Sequence, residues 1–464
     1  MRLFLPASFI LSLLLSQPGR AQGVFTGGLE SQTAIYKGGS YGSNNYLKLD
    51  YMQGSFSAGI QAEYYPEPML GYDMNLKGFG LPGKYLAWTR ENWSLTAGDY
   101  YEQFGSGIIF RSWEDRTLGW NNSVGGVRAT FRTSDDRLSG KILYGVPREF
   151  LHYASRQIAG GEVTGRIGNV AVSAAAVDQI AGGVSDLSGM LALSWGAGPF
   201  TASAEYVGKK GGHAESAVLG YAAKGFSASM TVRRLEGMLD RTGMNYLPSL
   251  CQQQVYMLAT LNPYTTFADG EIGGMGDLFY RYKTWKFHVG GSMIYALPSA
   301  LSGHDTRRLC YRDINIDIEK KWNRKFKTVA FVSIQENSPS HGQRKATNAQ
   351  NVFVLDGLYK FNARYSLRAQ VQYLYSQELT KDWVAGMLEA GFAPHWTIHI
   401  SDMYNHGDTR EHYYEAGVTY ALHALQVALS YGHQRAGFVC SGGVCRWQPE
   451  YTGGIVRLSY NFRR

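Results

Sequence analysis

Residues 313–319 read Asp-Ile-Asn-Ile-Asp-Ile-Glu. Ile314, Ile316 and Ile318 alternate with Asp313, Asn315, Asp317 and Glu319, so the period is two. Successive residues of a strand point to opposite faces, which gives this run one apolar and one strongly polar side. The pattern recurs along the chain. Leu367, Ala369, Val371, Tyr373 and Tyr375 alternate with Ser366, Arg368, Gln370 and Gln372. Leu425, Val427, Leu429 and Tyr431 alternate with Gln426, Ala428, Ser430 and Gly432. Val127, Ala129 and Phe131 alternate with Arg128, Thr130 and Arg132, and Leu47, Leu49 and Tyr51 with Lys48 and Asp50. A soluble sandwich would show the same alternation with its apolar side inward. Scale decides between the two. One closed sheet of this many long strands has no room for a solid apolar core, so its polar face should line the interior and its apolar face should meet lipid.

The connections support that choice. Asp135-Asp136, Asn323-Arg324-Lys325, Phe361-Asn362-Ala363-Arg364, Ala393-Pro394-His395 and His423-Ala424 are tight, whereas roughly 105–121, 237–270, 297–309, 337–349 and 437–450 are long and polar. Short and long connections largely alternate, as short periplasmic turns and longer outer loops do in outer-membrane barrels. The expected fold is all-β: a single transmembrane antiparallel up-and-down β-barrel with short periplasmic turns and long extracellular loops. At about 18 residues per strand and connection, and ~9–11 residues per crossing, the count is about 24 strands within a range of about 20–26, and even.

Composition agrees. The chain of 464 residues holds 56 Gly and 32 Tyr but only 13 Pro, and charged residues are 18%. Abundant tyrosine suits interfacial girdles, where the ring lies in lipid and the hydroxyl meets water. Mean hydropathy is slightly negative, as expected when only alternate residues face lipid. At the N-terminus, Arg2, the apolar run Leu3 to Leu15, the break Ser16-Gln17-Pro18-Gly19 and the small residues of Gly19-Arg20-Ala21 have the order of a secretory signal. Residues 1–21 are expected to be removed as a signal peptide, leaving 22–464 as one barrel domain. No Cys stands near the cut, so a lipid-anchored N-terminus is not expected. The first strand begins near Val24, which leaves no length for the plug of a TonB-dependent transporter.

The formal net charge is +8, falling to about +6 once Arg2 and Arg20 leave. There is no long Lys/Arg run, so nucleic acid is excluded as a partner class. Outer-membrane lipids and lipopolysaccharide are the expected partners, with other outer-membrane proteins as a further class; the mild basic excess reads most simply as a solvated surface and lumen. Four cysteines in an oxidising compartment read as disulfides. The Gly-bearing loop Cys440-Ser-Gly-Gly-Val-Cys445 suits a local bridge, which leaves Cys251 with Cys310.

The segment 98–128 is the most distinctive. Gly98-Asp99-Tyr100-Tyr101-Glu102-Gln103-Phe104-Gly105-Ser106-Gly107 leads into Arg111-Ser112-Trp113-Glu114-Asp115-Arg116, then Leu118-Gly119-Trp120-Asn121-Asn122 and Gly126-Val127-Arg128. It resembles a porin-like family of Bacteroidota outer-membrane barrels without assigned function, in which a Gly-Asp-aromatic strand meets an Arg-x-x-Glu-x-Arg loop followed by Leu-Gly-x-Asn/Asp and Gly-x-Arg. The close match covers about 30 residues and implies a fold and a membrane, not a substrate. The last segment, with Val456, Leu458, Tyr460 and Phe462 on one face, also resembles the closing strand of such barrels, its aromatic displaced by Arg463-Arg464.

If loop 105–121 folds into the lumen, Arg111, Glu114, Asp115, Arg116 and Arg128, beside Trp113, Trp120, Asn121 and Asn122, would form an ion-pair and hydrogen-bond network there. Such a network either braces the loop or selects solutes at a constriction. Loop 237–270, with Met238, Met244, Tyr246, Leu247, Tyr256, Met257 and Leu258, is unusually apolar; it either folds over or into the barrel or docks another outer-membrane protein, and inward packing is the expectation. Catalysis and metal binding find no convergent groups. His395 and His399 would stand about 13 Å apart on a strand, and His406 with His412 would be a loop pair. Gly432-His433 and Gly303-His304 lack the Ser and Asn partners of a barrel phospholipase, and Glu114-Asp115 would diverge on a strand. The expected protein is no enzyme and holds no metal or cofactor. Passage of small solutes is the first functional reading, and a non-enzymatic partner barrel in an outer-membrane protein assembly or secretion complex is the second.

Overall fold

A computed structural model describes residues 23–238, 247–301, 306–378, 381–441 and 444–463. The expected signal peptide, together with Met244 and Tyr246, lies outside the described residues. The chain forms a closed antiparallel barrel of 24 wall strands. Each strand pairs with the next in sequence around the wall, and the first, Val24–Tyr36, pairs on one side with Tyr41–Gln53 and on the other with the last, Tyr451–Arg463. Leu29 stands opposite Tyr460 and Gly27 opposite Phe462 across the seam. Wall strands run from 8 residues, Trp93–Tyr100, to 14, Val184–Ala197. No described helix is long and apolar enough to cross a membrane; the crossing elements are strands.

Residues 313–319 show which face is which. Ile314 and Ile316 are 53% and 39% exposed, whereas Asp313 and Asn315 on the same strand are 3% and 0% exposed. A water-soluble protein buries isoleucine and exposes aspartate. The inversion means that the outer surface is apolar and the interior polar, and it repeats at Ile142, Leu191, Leu355 and Val371, all outward and exposed. Inside, the polar side chains satisfy one another around the wall. Asn315 donates to Asp313, Ser333 to Asn315, Gln335 to Ser333 and Gln350 to Gln335, so a hydrogen-bonded ladder crosses the neighbouring strands 308–321, 326–337 and 348–360.

The two ends differ. Eleven connections at the end carrying both chain termini are two to five residues long. Around this end runs an aromatic belt: Phe25 with Phe462, Phe56 with Trp88, Trp88 with Trp93, Phe200 with Tyr221, Tyr359 with Phe361, and Trp396 with Tyr420, all at ring-centroid distances of 4.5–5.7 Å. Such belts mark the level of an interface between water and lipid. The opposite end carries the long connections 68–77, 101–123, 237–269, 297–307, 338–347 and 435–450. Three connections there are nonetheless short, 37–40 among them. Gly182-Gly183 is another, with both φ angles positive (57° and 79°) as a two-residue type I′ hairpin requires, and Lys210-Gly211 is the third.

The apolar clusters lie where long loops turn inward and cover the wall. Phe104, Ile108, Ile109 and Phe110 pack on Leu143, Ile158, Val177, Met190 and Val207. On another arc of the wall, Tyr256, Leu258 and Leu261 pack on Phe331, Val352, Val354, Leu374 and Trp383. The described part of loop 237–270 thus folds inward, the expected one of its two readings. A disulfide joins Cys440 to Cys445 across the hairpin Gly437–Ser441 and Val444–Gln448. The expected Cys251–Cys310 bridge is not formed: both are free thiols within one apolar cluster. Cys251 Sγ lies 3.0 Å from Ser249 Oγ, and burial pushes its thiol up to about 11.

Candidate functional site

Loop 101–123 leaves the wall at Tyr100, runs along the inside of the barrel and returns at Val124. Two features let it lie flat there. Gly105 has φ +52°, and a Cβ at that position would overlap Met190 Sδ. Beyond it, backbone amides meet carboxylates of distant wall strands. Gly105 N donates to Glu162 at 3.0 Å, and Ser106 donates to Glu205 through its backbone N at 2.7 Å and its Oγ at 2.8 Å. The loop tip is therefore seated on charge-assisted hydrogen bonds rather than on apolar contact alone.

The sequence-predicted residues separate into three groups. Glu114 and Arg116 reach wall strands that precede the loop in sequence: Glu114 Oε1 accepts from Gln61 Nε2 at 2.7 Å and from Arg116 Nε at 3.2 Å, while Arg116 Nη1 lies 2.9 Å from Glu30. Burial works against the Arg116 charge, but Glu114 and Glu30 together raise its pKa above the ordinary arginine value. Tyr101, whose hydroxyl donates to Glu114, has its pKa raised by burial and by that carboxylate. A second group braces the loop. Asn122, 1% exposed, accepts from Trp113 N at 2.6 Å and donates to Arg111 O at 3.2 Å. Asp115 accepts from Thr117 N and Leu118 N, Asn121 accepts from Ser123 N, and Trp120 pairs with Asp115 in a small hairpin. The Arg111 guanidinium stacks 4.6 Å over the Trp113 ring. Arg128 stands apart on the wall, with Nη1 3.3 Å from Glu102.

Several inward charges were not singled out from the sequence. Lys141 Nζ is 3.0 Å from Glu102 and 3.7 Å from Glu162, which extends the Arg128 pair into a four-membered chain. Glu63 and Arg148 form an ion pair at 2.6 Å with side chains 2% exposed. On the far arc, Arg233 pairs with Glu271 at 2.8 Å, and Glu271 also accepts from Tyr264 and from Phe267 N of the second inward loop. The available signal was a lone charge on the inward parity of a strand, as at Lys141 between outward Ile142 and Gly140. The partners lie far away in sequence, so the pairing was not visible.

Taken together, the loop and wall present alternating charges, amides and aromatic rings inside a polar-lined barrel. The arrangement offers hydrogen-bond donors and acceptors to a polar solute; among the described residues no three His, Cys, Asp or Glu side chains come together as metal ligands would.

Among solved structures, the chain is similar in overall shape to the P pilus usher (PapC) translocation pore, with TM-score 0.41 and 10% identity over 95% of this chain and 99% of that one. It is also similar to OccK2 (OpdF) of Pseudomonas aeruginosa, with TM-score 0.39 and 11% identity over 95% and 97%. For the copper transporter OprC the TM-score is 0.45, with 10% identity over 96% and 84%. No curated protein sequence matches it. The model of a family of unknown function, DUF6029, matches residues 1–188 and 192–462, and the chain belongs to that family.

Proposed function

We propose that this protein is an outer-membrane barrel through which small polar solutes pass, with two inward loops setting what can cross. The observation that carries the reading is the inversion of polarity combined with inward charge: a closed wall with an apolar exterior, a hydrogen-bonded polar interior, and a loop of mixed charge seated inside it. An apolar exterior bounded by an aromatic belt suits a bilayer, with lipids and lipopolysaccharide as its surroundings. Interior charges at a narrowed point act on size and sign of the solute. The aqueous interior is where Glu114, Arg116, Arg128, Glu102 and Lys141 would act.

Planar-bilayer recording of the purified barrel tests this. The wild type is expected to give discrete conductance steps, and a variant with residues 247–269 replaced by a short Gly/Ser turn is expected to conduct more. Silence from both contradicts the reading. A silent barrel that retains a stoichiometric partner after mild detergent extraction would instead support a non-enzymatic component of an assembly or secretion complex.

A further inference from the structure

We propose that a cavity behind loop 101–123 is a binding subsite for one ring of an uncharged sugar. The cavity, about 190 Å³, opens between the loop, strand ends near Glu63 and Arg148, and the start of strand Arg156–Ile167. At ~30 Å³ per water it has room for about six waters, and it lies below the ~300 Å³ of sites for drug-sized ligands, so it suits a single small solute.

Its chemistry narrows the class. The charges that line it largely cancel: Glu63 is held by Arg148, and Glu114 by Arg116. The carboxylates are occupied further, since Glu63 accepts from Tyr65 and Gln61, and Glu114 from Gln61. What remains unmet is a set of donors. Arg148 Nε and Arg156 Nε are buried atoms with no hydrogen-bond partner, and the Asn121 amide, beside the Tyr101 hydroxyl, lines the same cavity. Arg156 makes no ion pair among the described residues, and Glu149 at the exposed rim offers a carboxylate. Trp120, Tyr65 and Phe150 add aromatic surface to the same lining.

Leaving two buried guanidinium donors unpaired is costly, so a ligand that brings acceptors to them gains that cost back. An anion would meet Glu114, Glu149 and Glu63 at close range, and a cation would meet the three arginines. A neutral ring with several hydroxyls meets neither penalty. Its oxygens accept from Arg148, Arg156 and Asn121, a hydroxyl donates to Glu149, and its C–H face lies on the aromatic surface. The proposal deepens the solute-passage reading by naming a solute class, but binding here does not require conduction.

Isothermal titration and tryptophan fluorescence on the full-length barrel in detergent test it, with D-glucose and D-galactose as neutral probes and D-glucuronate and D-glucosamine as charged ones. A neutral hexose is expected to bind saturably, with R156Q and N121A each weakening it about tenfold while gel heat-modifiability shows both variants folded. Absence of saturable hexose binding to the wild type overturns the proposal. So does tighter binding of glucuronate or glucosamine, and so does equal affinity in folded R156Q and N121A. Conducting channels without hexose binding would remove this subsite and leave the passage reading standing. Hexose binding by a silent barrel would do the reverse.

Discussion

Glu63 and Arg148 belong to wall strands 85 residues apart in sequence, yet their side chains meet in a place almost closed to solvent. An ion pair taken out of water is held together by mutual attraction and by further hydrogen bonds, here from Tyr65 and Gln61 to Glu63. Removing one partner leaves the other charged and buried. E63A should therefore destabilise the barrel by about 3–5 kcal/mol, read as a lowered urea midpoint in detergent. E63L/R148M, which removes both charges and keeps apolar volume, should recover most of the loss. Equal stability of E63A and the wild type would show that the pair is open to water.

At the scale of elements, both inward loops combine apolar packing with amide-to-carboxylate bonds, and each has its own anchor. Loop 101–123 is seated by carboxylates on backbone amides, and loop 247–269 by an apolar plug: Leu258 is fully buried against Val352, Val354 and Leu374, and its N–H donates to Gln372 at 3.2 Å. L258A removes the side chain from that socket and should weaken docking by about 2–5 kcal/mol. The expected outcome is faster protease cleavage within 247–269 while the wall stays resistant, and an unchanged cleavage rate would count against the docking.

Much of this scale was legible beforehand. Alternation along 313–319 and 366–375 gave the strands because the period of two survives any context, and tight sequences such as His423-Ala424 gave the turns. The inward lie of loop 237–270 is one of two readings that its apolar residues allow, and the expected one. What could not be read was anything dependent on register. That Asn122 belongs to a network at this loop is legible, but not which atoms it meets, Trp113 N and Arg111 O; Lys141, Glu162 and Glu205 give no local signal, because their partners come from segments whose relative height no local sequence states. The cysteines divide in the same way. Cys440 and Cys445 are paired by local geometry, while pairing Cys251 with Cys310 by elimination failed, since each has settled in apolar packing.

For the whole molecule, the account requires that the outward surface be solvated by lipid. Leu191 and Leu355 stand outward near mid-height of their strands and are 62% and 60% exposed. L191R or L355R should cost about 2–4 kcal/mol of stability in bilayers, the penalty for a cation at the membrane midplane. In a soluble protein the same exposed positions would tolerate arginine almost freely.

The most direct measurement places one nitroxide label at a time on residues 313–319, in a background with Cys251 and Cys310 replaced, in reconstituted bilayers. Collision with oxygen, which concentrates in lipid, should peak at positions 314, 316 and 318. Contact with a water-soluble nickel complex should be absent at 314, 316 and 318 and strongest at 317 and 319, since 313 and 315 are almost closed to solvent. Loss of this alternation, or shielding of 314, 316 and 318 from both reagents, would mean that those isoleucines face a protein core, and the barrel described above would be wrong.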